Sequence, residues 1–190
     1  MLTTGPTSWD IIIELRSSNF VFLTISIVSS VEPPSEFTST ALRVAFSGWQ
    51  FSPLVRWQSG NRSTVTTGVD NALTGMGGQR AVQVLDDPYG DGSPGNYLNR
   101  AAFTTPATGT YSDLAPFTIV NPSRLQNDLA ITRTFRTSRG QSLQFRWEIF
   151  NVINHVNYNA PTTALNSANF GKILGAGDPR IMQFALKVDF

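Results

Sequence analysis

The sequence predicts an all-β, antiparallel fold whose strands form part of the wall of a transmembrane barrel with long external loops. Two-faced strands, connections of alternating length and a composition rich in turn residues carry that expectation. The clearest strand lies in 142–154. There Leu143, Phe145, Trp147 and Ile149 alternate with Gln144, Arg146 and Glu148, and successive side chains of a strand point to opposite faces. The chain end repeats the pattern, with Met182, Phe184, Leu186, Val188 and Phe190 against Gln183, Ala185, Lys187 and Asp189. Such a face meets either the core of an antiparallel sandwich or lipid, in segments of about ten residues. Period alone does not separate the two.

Composition narrows the function classes. The 190 residues carry a net charge of +1, and only Lys172 and Lys187 of the fourteen basic residues are lysines. No basic run points to nucleic acid. Charged residues are 14% of the chain, against 15 Gly and 11 Pro, which suits strands joined by loops. With no Cys there is no disulfide framework, thiolate zinc site or cysteine nucleophile. The single histidine, His155, follows Asn154 and reads as an ordinary loop residue. No nucleophile, base and orienting group share a recognisable spacing, so neither catalytic residues, a metal nor a cofactor is expected, and the chain does not read as an enzyme.

In chain order, Trp9 to Leu15 is strand-prone through Ile11, Ile12 and Ile13, with no partner legible. Phe20 to Val31 is too short for a membrane helix. Arg16 before it suits a signal-peptide core, whereas Asp10 and Glu14 oppose one. Its alternation of Val21, Leu23, Ile25 and Ile27 favours a strand, closed by Glu32-Pro33-Pro34-Ser35. The region 43–67 holds a strand with Trp49, Phe51, Val55 and Trp57 on one face and Gln50, Ser52, Arg56 and Gln58 on the other. Pro53 removes a ladder donor there and calls for a bulge or an edge position.

Residues 68–121 show no period. Gly75-Met76-Gly77-Gly78 and the run from Asp87 to Gly95 are turn chemistry. A structureless loop this long counts against a compact soluble domain. Asp86, Asp87 and Asp91 lack the EF-hand spacing and read as solvated turn residues. Leu125 to Arg136 is a strand with Leu129, Ile131 and Phe135 on one face, interrupted by Arg133. That arginine is tolerable in lipid only with its head drawn out to an interface. Thr137-Ser138-Arg139-Gly140 is a tight turn, and Asn166 to Ile173 suggests a short turn inside a second irregular loop, 154–179. Connections thus alternate: 32–43 shorter, 68–121 long, 137–140 tight, 154–179 longer. Barrels with long outer loops and short inner turns give a reason for that pattern; sandwiches do not.

Several segments resemble a known family. Ser47 to Ser52, Gln58-Ser59-Gly60, Asp70 to Gly75 with Gln79-Arg80, and Tyr97 to Phe103 are similar to the C-terminal part of TonB-dependent outer-membrane receptors of the large Oar-like, acidobacterial kind. Asn127 to Ile131 with Arg133-Thr134-Phe135, Arg146 to His155, Phe170 to Ile173 and Asp178 to Lys187 continue the likeness in order. It covers 47–190, the C-terminal barrel part, while 1–46 matches weakly and holds one further barrel strand.

The resemblance implies a barrel of about 22 strands around an N-terminal plug, with ligand uptake across the outer membrane energised by TonB acting on the plug. Five clear strands are legible here, with neither plug nor TonB box. The chain is therefore expected to be the tail of such a receptor, from a truncated or frame-shifted reading frame, and not competent alone. Its open edges require self-association or a partner segment. Gln144, Arg146, Glu148, Gln183 and Lys187 are expected to line the lumen. Trp49, Trp57, Phe145, Trp147, Phe184 and Phe190 are expected to face lipid or the aromatic girdles. Expected partners are outer-membrane lipid, the barrel-assembly machinery through the strand ending in Phe190, the upstream barrel and plug, and TonB through that plug. The rival reading is a secreted β-sandwich binding module for glycans, with Trp49 and Trp57 as stacking platforms.

Overall fold

A computed structural model describes residues 48–137 and 139–190, together with the backbone of two strands nearer the N-terminus. These are β1 (Asp10–Ser17) and β2 (Val21–Val31); then come β3 (Trp49–Gln58), β10 (Arg124–Arg136), β11 (Ser142–Phe150) and β12 (Ile181–Asp189), with the short β4 to β9 between β3 and β10. The six long strands form one sheet in the order β1-β2-β3-β10-β11-β12, in which β1–β2, β2–β3, β10–β11 and β11–β12 run antiparallel. It is a meander, so each strand joins its spatial neighbour. Among the described residues no second sheet of comparable size packs on it, as a sandwich requires.

The sequence left the segment around Ile11 without a partner. The structure pairs it with β2, Ile11 opposite Ile27 and Ile13 opposite Ile25. The β1–β2 link spans only 18–20 and falls at the end of the sheet from which the long connections leave. The alternation of loop lengths therefore holds only from the β2–β3 connection onward. The closure expected at Glu32 to Ser35, and Ser138 of the tight turn, lie outside the described residues.

Pro53 lies in an interior strand, and the β2–β3 register is the same on either side of it, Ser26 opposite Leu54 and Ser29 opposite Phe51. The ladder is interrupted without a shift, so neither the expected bulge nor an edge position is used. At the tight turn Thr137 N–H donates to Gln141 O at 2.9 Å, and Gly140 takes φ 85°, a conformation glycine adopts at little cost.

The two long connections are not structureless. Ser59–Arg124 and Val156–Gly177 make one compact unit, separate from the unit that holds the sheet. It contains three small antiparallel pairs: β4 (Arg62–Ser63) with β9 (Ile119–Val120), β5 (Val82–Gln83) with β8 (Phe103–Thr104), and the hairpin of β6 (Tyr89–Ser93) and β7 (Asn96–Leu98). Val65, Ala81, Leu98, Ala102, Phe103, Ile119, Leu165 and Phe170 form its core. Full burial of a residue such as Leu98 or Ile119 contributes about 1.5–3 kcal/mol. The absence of period in 68–121 is real, but scattered apolar residues still converge. The short turn expected in 166–173 is present, with Phe170 N–H donating to Ser167 O at 3.1 Å.

Candidate functional site

Register decides which side chains share a face. Gln144 lies opposite Lys187, Arg146 opposite Ala185 and Glu148 opposite Gln183. On the other face Phe145 lies opposite Leu186, Trp147 opposite Phe184 and Ile149 opposite Met182. All five residues expected in the lumen are thus on one face, and Phe145, Trp147 and Phe184 are on the reverse.

The polar face is a hydrogen-bonded surface. Arg146 and Glu148, two apart on β11, form an ion pair, and Gln183 Nε2 donates to the same carboxylate. Lys187 pairs with Asp189 at 3.1 Å, and Ser142 Oγ donates to Asp189 Oδ2 at 3.3 Å. Across the sheet Thr132 Oγ1 reaches Gln50 Oε1 at 3.3 Å, which places the even-numbered residues of β3 on this face as well. The arrangement presents charged and amide groups along one face of the sheet.

The apolar face is built from rings. Trp147 stacks on Phe184 at 5.4 Å, Phe145 lies 6.3 Å from Phe184, and Trp49 meets Phe145 edge-on at 6.3 Å. Trp49 and, four periods of alternation further, Trp57 therefore belong with Phe145. Phe190 follows the last strand and is 98% exposed. Phe184 and Leu186 are also largely exposed, part of an apolar surface of the kind that marks a protein or membrane contact.

Arg133 differs from the expectation. It lies on this face opposite Phe145 and is only 6% exposed, its guanidinium 4.3 Å from the Phe135 ring centroid and 5.2 Å from that of Trp49. The head is folded beneath rings instead of extending to water. Cation–π attraction strengthens when the pair is desolvated.

Sequence reasoning gave no physical role to the polar cluster at the far end of β10 and β11. Asn127 and Asp128 use their side chains there to accept the N–H groups of Ile153, at 2.8 Å, and Asn151, at 3.0 Å. Asn151, at φ 52°, accepts from His155 N–H at 2.9 Å and donates to His155 O at 2.8 Å. Asn154, at φ 55°, accepts from Arg180 N–H at 3.0 Å. The only available signal was the recurrence of Asn, the non-glycine residue best suited to positive φ. His155 contributes only backbone atoms to these bonds, in keeping with its reading as a loop residue.

Within the loop unit the segments that carry the resemblance are those that lock it. Asp70 accepts from the N–H groups of Thr74 and Gly75 and from Gln79 Nε2, and Gln79 Oε1 accepts from Ala72 N–H at 2.6 Å. Gly171 O accepts from both Tyr97 and Leu98 N–H, at 2.9 and 3.1 Å. A single two-faced sheet whose strands are joined by long folded connections is the pattern of a barrel wall, and a family model described as an outer membrane beta barrel domain matches residues 26–183.

The chain belongs to that family. No curated protein and no solved structure matches it. Membership of the outer-membrane β-barrel domain family places the chain in the outer membrane and decides between the two readings of its strands: the sheet is barrel wall, and the secreted sandwich is set aside. Among the described residues no helix is long and apolar enough to cross a membrane.

Proposed function

We propose that this barrel protein supplies part of the wall of a TonB-dependent receptor of the Oar-like kind, which moves a scarce ligand across the outer membrane with energy delivered through a plug. The observation that carries the reading is the ordered set of receptor-like segments. Asp70 to Gln79, Tyr97 to Phe103, Arg146 to His155 and Phe170 to Ile173 are the stretches whose backbone and amide groups hold the loop unit and the strand ends in place. On this reading Gln144, Arg146, Glu148, Gln183 and Lys187 line the lumen, and Trp49, Trp57, Phe145, Trp147, Phe184 and Phe190 face lipid or the girdles. Lipid, the assembly machinery that takes up the strand ending in Phe190, and a plug are its partners. TonB acts only on the plug. No catalysis is proposed.

The chain has no cysteine, so a single introduced thiol reports alone. Lys187→Cys sits near the inner end of the proposed lumen, on the strand that runs to the C-terminus. In cells, its labelling by a membrane-impermeant maleimide should rise when the inner membrane is energised and fall with a protonophore, as a plug moves. Labelling independent of energisation would mean a passive pore and sink the TonB coupling.

A further inference from the structure

Within the loop unit an open cavity of about 510 Å³ is lined by Arg100, Leu165, Asn166, Ser167, Ala168 and Phe170. Its volume is in the range of small-molecule sites. Its walls come from two connections far apart in sequence, so it exists only once the unit has folded.

Arg100 is held but not neutralised. It begins a 3-10 turn, Arg100–Ala102, capped by Asn99, whose Oδ1 accepts from Ala101 N–H at 3.0 Å. Its guanidinium lies over the Phe170 ring, 5.4 Å from the centroid, and donates to Leu165 O. Phe170 is itself fixed by Phe103, edge-on at 5.9 Å. A ring face and a neutral carbonyl orient the cation and leave its charge intact, and no carboxylate lines the cavity. Remaining N–H groups of a planar fork suit an oxyanion. Ser167 Oγ, which accepts from Asn169 N–H at 3.2 Å, keeps its own hydroxyl proton as a further donor.

We propose that this cavity binds the carboxylate or phosphate group of a small anionic solute, with Arg100 holding the oxyanion. The site does not depend on TonB coupling: a passive barrel with this loop unit would bind the same solutes.

The test is calorimetric titration of the full chain, folded in detergent micelles, with three probes of similar size: glucuronate, glucose 6-phosphate and glucose. Saturable binding of either anion with none of glucose supports the site, and the anion that binds tells which group it prefers. Arg100→Lys keeps the charge and loses the fork, so affinity should fall by about ten-fold or more. Ala168→Asp touches none of the contacts of Arg100 and places a competing carboxylate in the cavity, so binding should be lost with the fold intact. The proposal is overturned if neither anion binds at about 10 mM, if glucose binds equally well, or if both variants bind like the wild type.

Discussion

The Tyr97 hydroxyl donates to Val120 O at 2.8 Å, while Val120 N–H donates to the Tyr89 hydroxyl at 2.9 Å. Two side chains thus satisfy one residue of β9 as a neighbouring strand would, and their rings meet edge-on at 5.8 Å. Tyr97→Phe keeps the ring and removes the donor, so it should cost about 0.5–1.5 kcal/mol, read as a lower urea midpoint. Burial, with Tyr89 beside it, holds the Tyr97 phenol above its ordinary value of 10.0. A raised phenol favours the neutral, folded form. This contribution is therefore complete below pH 10 and lost as pH rises through the folded value, and Tyr97→Phe should flatten that alkaline loss.

Asp70 titrates in the opposite sense. Its carboxyl lies below the usual 3.8, chiefly through the N–H of Thr74, with Gly75 and Gln79 adding to the effect against some desolvation. A depressed carboxylate stabilises above its unfolded value, and the contribution disappears as pH falls through the folded one. Protease cleavage within 70–79 should accelerate below pH 3.8 in the wild type and be fast already at neutral pH in Asp70→Ala. A pH-independent cleavage rate in the wild type would refute the role of the carboxylate.

Legibility in the sequence followed the physics of each part. β11 and β12 were readable because strict alternation of large apolar and polar residues leaves little else for Leu143 to Ile149 to do, and the register of Phe145 with Leu186 bears this out. β1 was legible as strand-prone through Ile11, Ile12 and Ile13, but its partner was not, because three successive isoleucines have no period. The loop unit was hidden for another reason: Val65, Leu98, Ile119 and Leu165 reach one core from distant points of the chain, and no local pattern encodes such convergence. Asn127, Asn151 and Asn154 at the strand ends were visible only as a recurrence of Asn within segments that resemble known receptors. Their work is done by amide groups whose partners lie up to 27 residues away in sequence.

Gly171 should be far less replaceable than Gly92, another glycine of the loop unit. It sits at φ 76°, and a Cβ there would collide with Leu98 O, next to the two N–H groups that Gly171 O accepts. Gly92, at φ 78°, has nothing within 4 Å of the same position. Gly92→Ala should therefore cost only backbone strain, about 1 kcal/mol, whereas Gly171→Ala should cost about 3 kcal/mol. Hydrogen exchange at the Tyr97 and Leu98 amides should accelerate in the second variant alone.

Asn151 combines a positive φ with an amide that bonds both backbone groups of His155, and it is only 8% exposed. Asn151→Gly relieves the backbone and loses the amide. Asn151→Ala loses the amide and keeps the strain. The glycine variant should be destabilised by about 1–3 kcal/mol and the alanine variant by about 1 kcal/mol more, as measured by urea midpoints in detergent. Equal midpoints for the two variants would show that the backbone conformation relaxes.

The assignment of the two sheet faces is tested most sharply by neighbours on one strand. Ala185 lies opposite Arg146 on the polar face, and Leu186 lies opposite Phe145 on the apolar face, where it is 71% exposed. Ala185→Asp puts a carboxylate beside a guanidinium in the proposed lumen and should leave membrane assembly unchanged. Leu186→Asp puts the same charge into hydrocarbon, where a lipid-facing charge costs up to about 2–4 kcal/mol for Arg or Lys and less for Asp, and that cost shrinks near the interfaces. A strand of nine residues, β12, spans most of the bilayer, so the penalty falls on insertion itself. The yield of heat-modifiable protein in outer-membrane fractions should drop several-fold for Leu186→Asp and stay level for Ala185→Asp. The reverse order would mean that the ring-lined face points inward, and the polar ladder of Arg146, Glu148 and Gln183 outward.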